Sequence, residues 1–159
     1  MKPQEFSRRQ CLQMALLGAA AFAGTSALAA TLPTTASLPR ELALALKSGR
    51  PLLVMVSLEG CAFCKQVRDS HLAPMREREG LAVVQLDMRN KQAVVDFDGR
   101  SLTQDELIRS WGVSVAPTVL FFGRGGAEIA ERMVGGYIPD FYGAYLDDRL
   151  RIARAVVRA

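Results

Sequence analysis

Two cysteines in the run Gly60-Cys61-Ala62-Phe63-Cys64-Lys65 carry the chemistry that the sequence offers most directly. The apolar run Pro51-Leu52-Leu53-Val54-Met55-Val56 stands before them and a helix-like stretch after them. A thiol at a helix N-terminus is held toward its nucleophilic thiolate form by the positive end of the helix dipole. A second thiol one turn along can then open and close a disulfide with it. The same spacing also occurs in metal sites, so the rest of the chain has to arbitrate. A structural zinc site needs four Cys- or His-type ligands, whereas two thiols alone suffice for Cu(I).

The N-terminal residues decide how many cysteines remain. Residues 1–29 have the three parts of a cleavable export signal. Ser7-Arg8-Arg9-Gln10-Cys11-Leu12 is a charged start, Leu12 to Gly24 is apolar and rich in Ala and Gly, and Ala27-Leu28-Ala29 is an A-x-A cleavage site. The paired arginines resemble a bacterial twin-arginine signal. Cys11 stands where that pattern usually has Phe, which leaves the general secretion route open. The apolar run is shorter than the roughly 20 residues of a membrane span, and no small-apolar lipobox precedes Cys11. Cleavage removes Cys11 and leaves Cys61 and Cys64 as the thiols of an exported, periplasmic protein. Disulfides persist in such a compartment. A bridge closing so short a loop adds little stability through chain entropy, so the pair reads as chemical rather than structural.

The elements that must position this pair can be followed along the mature chain. Residues 30–37 read as a flexible lead-in and 38–159 as one domain. Ser37 caps a helix over Leu38–Ser48, with Pro39 in its opening turn and Gly49 as the stop. Pro51–Leu58 is a continuous apolar run, the pattern of a strand covered on both faces. A helix follows from Cys61 to about Leu72, ended by Pro74, and Leu81–Met88 is a second buried strand. Val94-Val95-Asp96-Phe97 and Asp98-Gly99 predict a brief edge strand and a turn. Thr103 and Glu106 form a capping box, with Leu102 and Leu107 as its hydrophobic staple, for a helix that ends at Gly112. Thr118–Phe122 and Ala127–Val134 are further strands around a Gly-rich turn, and a last amphipathic helix runs from Pro139 toward Arg154. This order predicts an α/β domain with a mixed four-to-five-stranded sheet and helices on both faces.

A second motif, Val115-Ala116-Pro117-Thr118, opens the Thr118 strand. A proline is tolerated at a strand entry, where its missing N–H is not needed. The dipeptide alone favours a trans bond. Taken with the strand leading into Cys61-x-x-Cys64, the Gly turn, the Val134-Gly135 step and the closing helix, however, it resembles the thioredoxin fold over residues 38–149. That resemblance implies that Pro117 is cis and lies against the cysteines. It also implies that Ala116 presents the backbone edge to which an extended substrate segment binds. The activity it implies is thiol–disulfide exchange on protein substrates, with Cys61 attacking, Cys64 resolving, and no cofactor beyond the Cys61–Cys64 disulfide itself.

Departures from cytoplasmic thioredoxin are visible. Gly60 stands where thioredoxin has Trp, Met55 where it has a buried acid, and Ala62-Phe63 where it has Gly-Pro. The interval to Pro117 is longer, which residues 92–100 can account for. These features resemble exported thioredoxin-like proteins, including the thioredoxin of sulfur-oxidation systems. Within that group a reductase is expected ahead of a disulfide-forming oxidase. A copper-binding module and a redox-inactive peptide-binding module are the readings from other classes. A reductase in an oxidising compartment implies a membrane electron carrier; an isomerase is less expected because no dimerisation domain is visible, and a monomer is expected.

The remaining residues narrow the function further. Phe63 can tune the site or offer an apolar contact, and Glu59 can move protons or be a solvated loop carboxylate. Lys65 and Arg68 can favour the thiolate or form the wet face of a helix. Trp111 is expected in the core beside the Pro117 loop. His71, the single histidine, is expected near a helix end in a charge–dipole role. The formal charge is +4. Losing Lys2, Arg8 and Arg9 together with Glu5 leaves about +2. The remaining arginines form no stripe interleaved with aromatics, which argues against nucleic acid. The basic end of the chain, Leu150–Arg158, is read as the solvated end of the last helix.

Overall fold

Six consecutive buried residues, Leu52–Ser57, form strand β1. A strand without a polar face must be central and covered on both sides. The computed structural model, which describes residues 31–136 and 139–159, places it so. The sheet order is β2–β1–β5–β6, with β2 at Val83–Asp87, β5 at Thr118–Phe122 and β6 at Glu128–Val134. β2 runs parallel to β1, while β5 is antiparallel to β1 and β6 antiparallel to β5. Met55 is registered with Val119, and Thr118 with Val134.

The alternation of side chains along the strands divides the core in two. Leu53, Met55, Val83, Val119 and Phe121 face one helical layer together with Cys64, Val67, Leu72, Leu146 and Leu150. Leu52, Val54, Val56, Leu86, Leu120 and Phe122 face the other, together with Leu38, Leu42, Leu107 and Ile108. The first layer holds α2 (Ala62–Val67), a π-turn (Arg68–Leu72), α3 (Ala73–Glu79) and α5 (Pro139–Arg158). The second holds α1 (Leu38–Lys47) and α4 (Gln104–Ser110). This is the mixed sheet covered on both faces that the sequence predicts, with four strands.

Three local expectations need correction. Pro74 does not end the helix that begins after Cys61. The chain widens into the π-turn, Pro74 falls in the first turn of α3 where its missing N–H costs nothing, and helix continues to Glu79. The 94–97 stretch adds no edge to the main sheet. It belongs to a separate two-stranded sheet of β3 (Ala93–Val95) and β4 (Ser101–Thr103). Of the flexible lead-in expected over residues 30–37, the described residues 31–37 are laid along the domain: Leu32 is buried, Gln85 N–H donates to the Pro33 carbonyl at 2.8 Å, and Val95 N–H donates to that of Ala36 at 2.9 Å. The export signal, residues 1–29, lies outside the described residues.

The caps stand where they are expected. The Ser37 side chain accepts from Arg40 N–H at the start of α1. Glu106 accepts from Thr103 N–H at 2.9 Å in the capping box of α4, and Leu102 packs against the layer containing Leu107.

Between β3 and β4, a buried carboxylate replaces an apolar anchor. Asp96 accepts from Asp98 N–H at 2.9 Å, from Arg100 N–H at 2.8 Å and from Arg100 Nε at 2.7 Å. Burial alone would raise the Asp96 pKa, but these donors overcome it and hold the carboxyl below its ordinary value. A depressed folded-state pKa gives stability that is present above the unfolded value, near 3.9, and lost as pH falls through the folded one. Asp96→Asn should therefore lower stability at pH 7 by about 1–3 kcal/mol, and its deficit relative to the wild type should shrink below about pH 4. Thermal melts of both proteins between neutral and strongly acidic pH check this. A deficit that stays constant across the range would show that the Asp96 charge has no part in it.

Candidate active site

The end of β1 and the start of α2 are joined by a turn that sets the position of Cys61. Gly60 takes φ +75°, a left-handed conformation that a side chain would disfavour. Cys61 N–H donates to the Leu58 carbonyl at 3.1 Å. Cys61 is then the N-cap of α2, and its sulfur accepts from Cys64 N–H at 3.1 Å. A cap normally supplied by a Ser, Thr, Asp or Asn oxygen is here supplied by the sulfur. The two cysteines are joined in a disulfide with a Cα–Cα distance of 5.2 Å. Cys61 is part-exposed at the rim and Cys64 is buried.

Across from the cysteines lies the Val115–Thr118 turn. The Ala116–Pro117 bond is cis, and the Ala116 carbonyl oxygen lies 3.9 Å from Cys61 Sγ. A disulfide sulfur carries no proton, so this is a van der Waals approach rather than a hydrogen bond. Thr118 Oγ1 donates to the Val115 carbonyl at 2.8 Å, and Gly135 N–H donates to that of Pro117 at 2.7 Å. The two bonds pin the turn from both sides. Of the sequence-predicted site residues, the fold thus brings Cys61, Cys64, Ala116 and Pro117 together.

Phe63 joins them from the other wall. It is 51% exposed, and a Cβ built on Gly136 would lie 3.5 Å from Phe63 Cβ and 3.3 Å from Pro117 Cγ. Gly136 escaped the sequence analysis. Its signal was the Gly135-Gly136 pair directly after a strand, where a missing side chain lets backbone approach closely. Glu59 is exposed and, with Gly60, Cys61, Cys64 and Lys65, lines a cleft of about 780 Å³ beside the cysteines.

Lys65 on α2 and Arg68 at its C-terminal cap are both engaged with Asp69. Lys65 pairs with Asp69, and Arg68 Nε donates to Asp69 Oδ1 at 3.0 Å. Partial burial pushes the Asp69 carboxyl up, but these two partners prevail and hold it below its ordinary value. Met55, in the place of thioredoxin's buried acid, is wholly enclosed.

His71 and Trp111 lie elsewhere than expected. Because helix continues beyond it, His71 sits in the π-turn rather than at a helix end, with its ring 5.1 Å from that of Tyr142 on α5. Burial pushes its pKa down against the pull of Asp147, which disfavours the charged ring that a charge–dipole role would need. Trp111 meets Phe122, at the end of β5 away from Pro117, with ring centroids 5.3 Å apart. Among the described residues, no group of three or more His, Cys, Asp or Glu side chains is placed to hold a metal. No described helix is long and apolar enough to cross a membrane.

Comparison with known proteins accords with this geometry. The thioredoxin-like domain model matches residues 38–149. Among solved structures, thioredoxin NaTrxh from Nicotiana alata is 19% identical, with 79% of this chain and 99% of that one covered at a TM-score of 0.50. Mitochondrial thioredoxin 3 from Saccharomyces cerevisiae is 16% identical, with 76% and 93% covered at a TM-score of 0.50. The periplasmic thioredoxin SoxS from Paracoccus pantotrophus is 23% identical, with 65% and 98% covered at a TM-score of 0.43. No curated protein matches the sequence. With the family model spanning most of the chain and the paired cysteines at the head of α2, the chain belongs to the thioredoxin-like domain family and is a thiol–disulfide oxidoreductase.

Proposed function

We propose that the protein reduces disulfides of protein substrates in the bacterial periplasm, and that a membrane thiol carrier returns its electrons. The observation that carries the chemistry is the position of Cys61 Sγ, which caps α2 by accepting from Cys64 N–H and lies 3.9 Å from the Ala116 carbonyl. In the reduced protein the same donor and the helix terminus favour the thiolate. The part-exposed backbone edge at Ala116 gives an extended segment of the substrate something to pair with. The periplasmic part of the proposal is supported by residues 1–29, whose charged start, apolar middle and Ala27-Leu28-Ala29 end have the form of an export signal.

The steps balance without a further cofactor. Cys61 thiolate attacks one sulfur of the substrate disulfide, forming a mixed disulfide and releasing the other substrate sulfur as a thiolate that takes up a proton. Cys64, deprotonated, then attacks Cys61 Sγ. The Cys61–Cys64 bond forms, the mixed disulfide breaks, and the second substrate thiol leaves. Two electrons pass from the dithiol to the substrate. Phe63 and Pro117 flank the entry as an apolar wall, and Glu59 is the carboxylate at the cleft rim that can exchange protons with solvent.

Equilibration of the mature protein with glutathione or dithiothreitol buffers should give a single two-electron couple. A potential near about −270 mV supports the reductase direction, one near about −120 mV would instead make the protein an oxidant, and the lack of any reversible couple would remove the oxidoreductase reading. Cys64→Ser should accumulate mixed disulfides through Cys61, visible as adducts that dithiothreitol releases. Cys61→Ser should form none. Expression of the full chain in a bacterium should yield a periplasmic protein beginning at Ala30, as read by intact mass. Full-length protein retained in the cytoplasm would oppose export, and retention only on Arg8→Lys/Arg9→Lys substitution would assign the twin-arginine route.

A further inference from the structure

The strands below the cysteines present two rungs of side chains to them. Leu53, Met55 and Val83 share a core layer with Cys64. Side chains alternate along a strand, so Ser57 on β1 and Gln85 and Asp87 on β2 face that same layer. The register of the two strands sets Met55 beside Gln85 and Ser57 beside Asp87. The first rung therefore carries Met55, fully enclosed at the place of thioredoxin's buried acid. The second, one step nearer the cysteine turn, carries a hydroxyl and a carboxylate on backbones about 4.8 Å apart.

Both residues of this second rung line the cleft of about 780 Å³ that also reaches Cys61 and Cys64. Ser57 is only 2% exposed, and its hydroxyl has no hydrogen-bond partner among the described residues. A buried hydroxyl kept without a protein partner calls for an explanation. Asp87 is half-buried and firmly placed. Its N–H donates to Gln104 Oε1 at 2.8 Å, and its Oδ1 accepts from Arg89 N–H at 2.9 Å. Among the described residues no donor reaches its second carboxylate oxygen. The other charged groups lining the cleft are Lys65 and Arg68, both engaged with Asp69, and the exposed Glu59 and Arg89. On α4, behind β2, Asp105 is taken by Lys91 and Arg109.

We propose that Asp87 accepts the proton of Cys64 when the mixed disulfide is resolved, with the Ser57 hydroxyl as the bridge between them. The proposal rests on the exchange chemistry of Cys61 and Cys64 and supplies the acceptor that Met55 cannot be. Cys64 is 1% exposed, and only its thiolate is a nucleophile. The Cys64 thiol passes its proton to Ser57 Oγ as the Ser57 O–H passes its own to Asp87. The thiolate then attacks Cys61 Sγ. The Cys61–Cys64 bond forms, the bond from Cys61 to the substrate sulfur breaks, and the substrate leaves as a thiolate. Asp87 returns the proton to the solvent of the cleft. The acid that thioredoxin carries on the first rung is thus moved to the neighbouring strand, one rung toward the cysteines.

The test is stopped-flow mixing of the reduced mature protein with excess dithiobis(nitrobenzoate), whose released thiolate is coloured. Attack by Cys61 releases one equivalent in a phase that scales with reagent concentration. Attack by Cys64 releases the second at a rate independent of it, and that rate is the readout. An unassisted thiol reacts through a thiolate fraction that falls about tenfold per pH unit below a pKa of about 8.5. With Asp87 as acceptor, the second phase of the wild type should change little between about pH 6 and 7. Asp87→Asn, which keeps an oxygen for Arg89 N–H, should slow that phase about a hundredfold at about pH 6 and make it climb with pH, with the first phase unchanged. Ser57→Ala leaves the carboxylate in place and should lose the same pH-independent part. A wild-type second phase that itself climbs tenfold per unit overturns the proposal. So does an Asp87→Asn protein as fast as the wild type or faster, since removing a nearby negative charge by its field alone would favour the thiolate. Loss in Glu59→Gln with none in Asp87→Asn assigns the proton to the loop carboxylate instead, and Ser57→Ala at the wild-type rate removes the hydroxyl from the path. A wild type with no second phase at all fails at the earlier level, because Cys64 then resolves nothing and the oxidoreductase reading falls with it.

Discussion

The Cys61 sulfur is a helix cap before it is a nucleophile. The first turn of α2 has backbone N–H groups without carbonyl partners, and the one on Cys64 is satisfied by Cys61 Sγ at 3.1 Å. Position and reactivity therefore have one cause. In the disulfide the S–S bond and the Cys64 N–H together hold this sulfur at the helix N-terminus, and once the bond is reduced the same donor faces the thiolate. Gly60 makes the turn that permits this, with its positive φ, and β1 delivers the turn to the right place because every residue from Leu52 to Ser57 is buried. In thioredoxin a buried acid sits below the cysteines. Here Met55 fills that space among apolar neighbours, and the buried carboxylates among the described residues, Asp96 and Asp105, are held instead by Arg100 and by Lys91 and Arg109.

Behind the cysteines, helix continuity links this turn to the far side of the domain. A proline inside a regular helix would lose a hydrogen bond and clash with the carbonyl four residues back. The π-turn over Arg68–Leu72 widens the backbone before Pro74, so that α3 starts afresh and the axis continues to Glu79. The same widening carries His71 out to Tyr142 on α5. α5 approaches so closely that a Cβ on Gly143 would lie 3.6 Å from the His71 ring. The helix bearing Cys61 and Cys64 is thus clamped by α5 on one side and by the sheet through Cys64, Val67 and Leu72 on the other.

Much of the frame was legible because it rests on strong local signals. The apolar run of β1, the Ser37 cap, the Thr103–Glu106 box and the CxxC at a strand–helix junction all appear where periodicity and capping rules place them. The motif order also identified the family. Features that depend on long-range partners were not legible. Pro74 was read as a stop because nothing local announces a π-turn. His71 and Trp111 were misplaced because their positions follow from α5 and Phe122, distant in sequence. Asp96 and Asp105 look like surface acids in a polar stretch, yet both are buried, held by Arg100 and by Lys91 and Arg109. A buried acid has no pattern of its own; it is defined by the cation that reaches it.

The substrate-facing side is set as much by missing atoms as by present ones. At Gly136 a Cβ would lie 3.2 Å from Val67 and 3.3 Å from Pro117, closer than ordinary contact. A side chain there would push the 135–136 backbone off Pro117 and weaken the 2.7 Å bond from Gly135 N–H that pins the turn. Phe63 can then stay exposed over the gap without being drawn into the core, since the space beside it is closed by backbone rather than by a neighbouring side chain. A lone exposed aromatic is unremarkable on most surfaces. Phe63 differs in that it stands between the two cysteines in sequence, with the Gly136 backbone packed close to its Cβ and its ring half exposed.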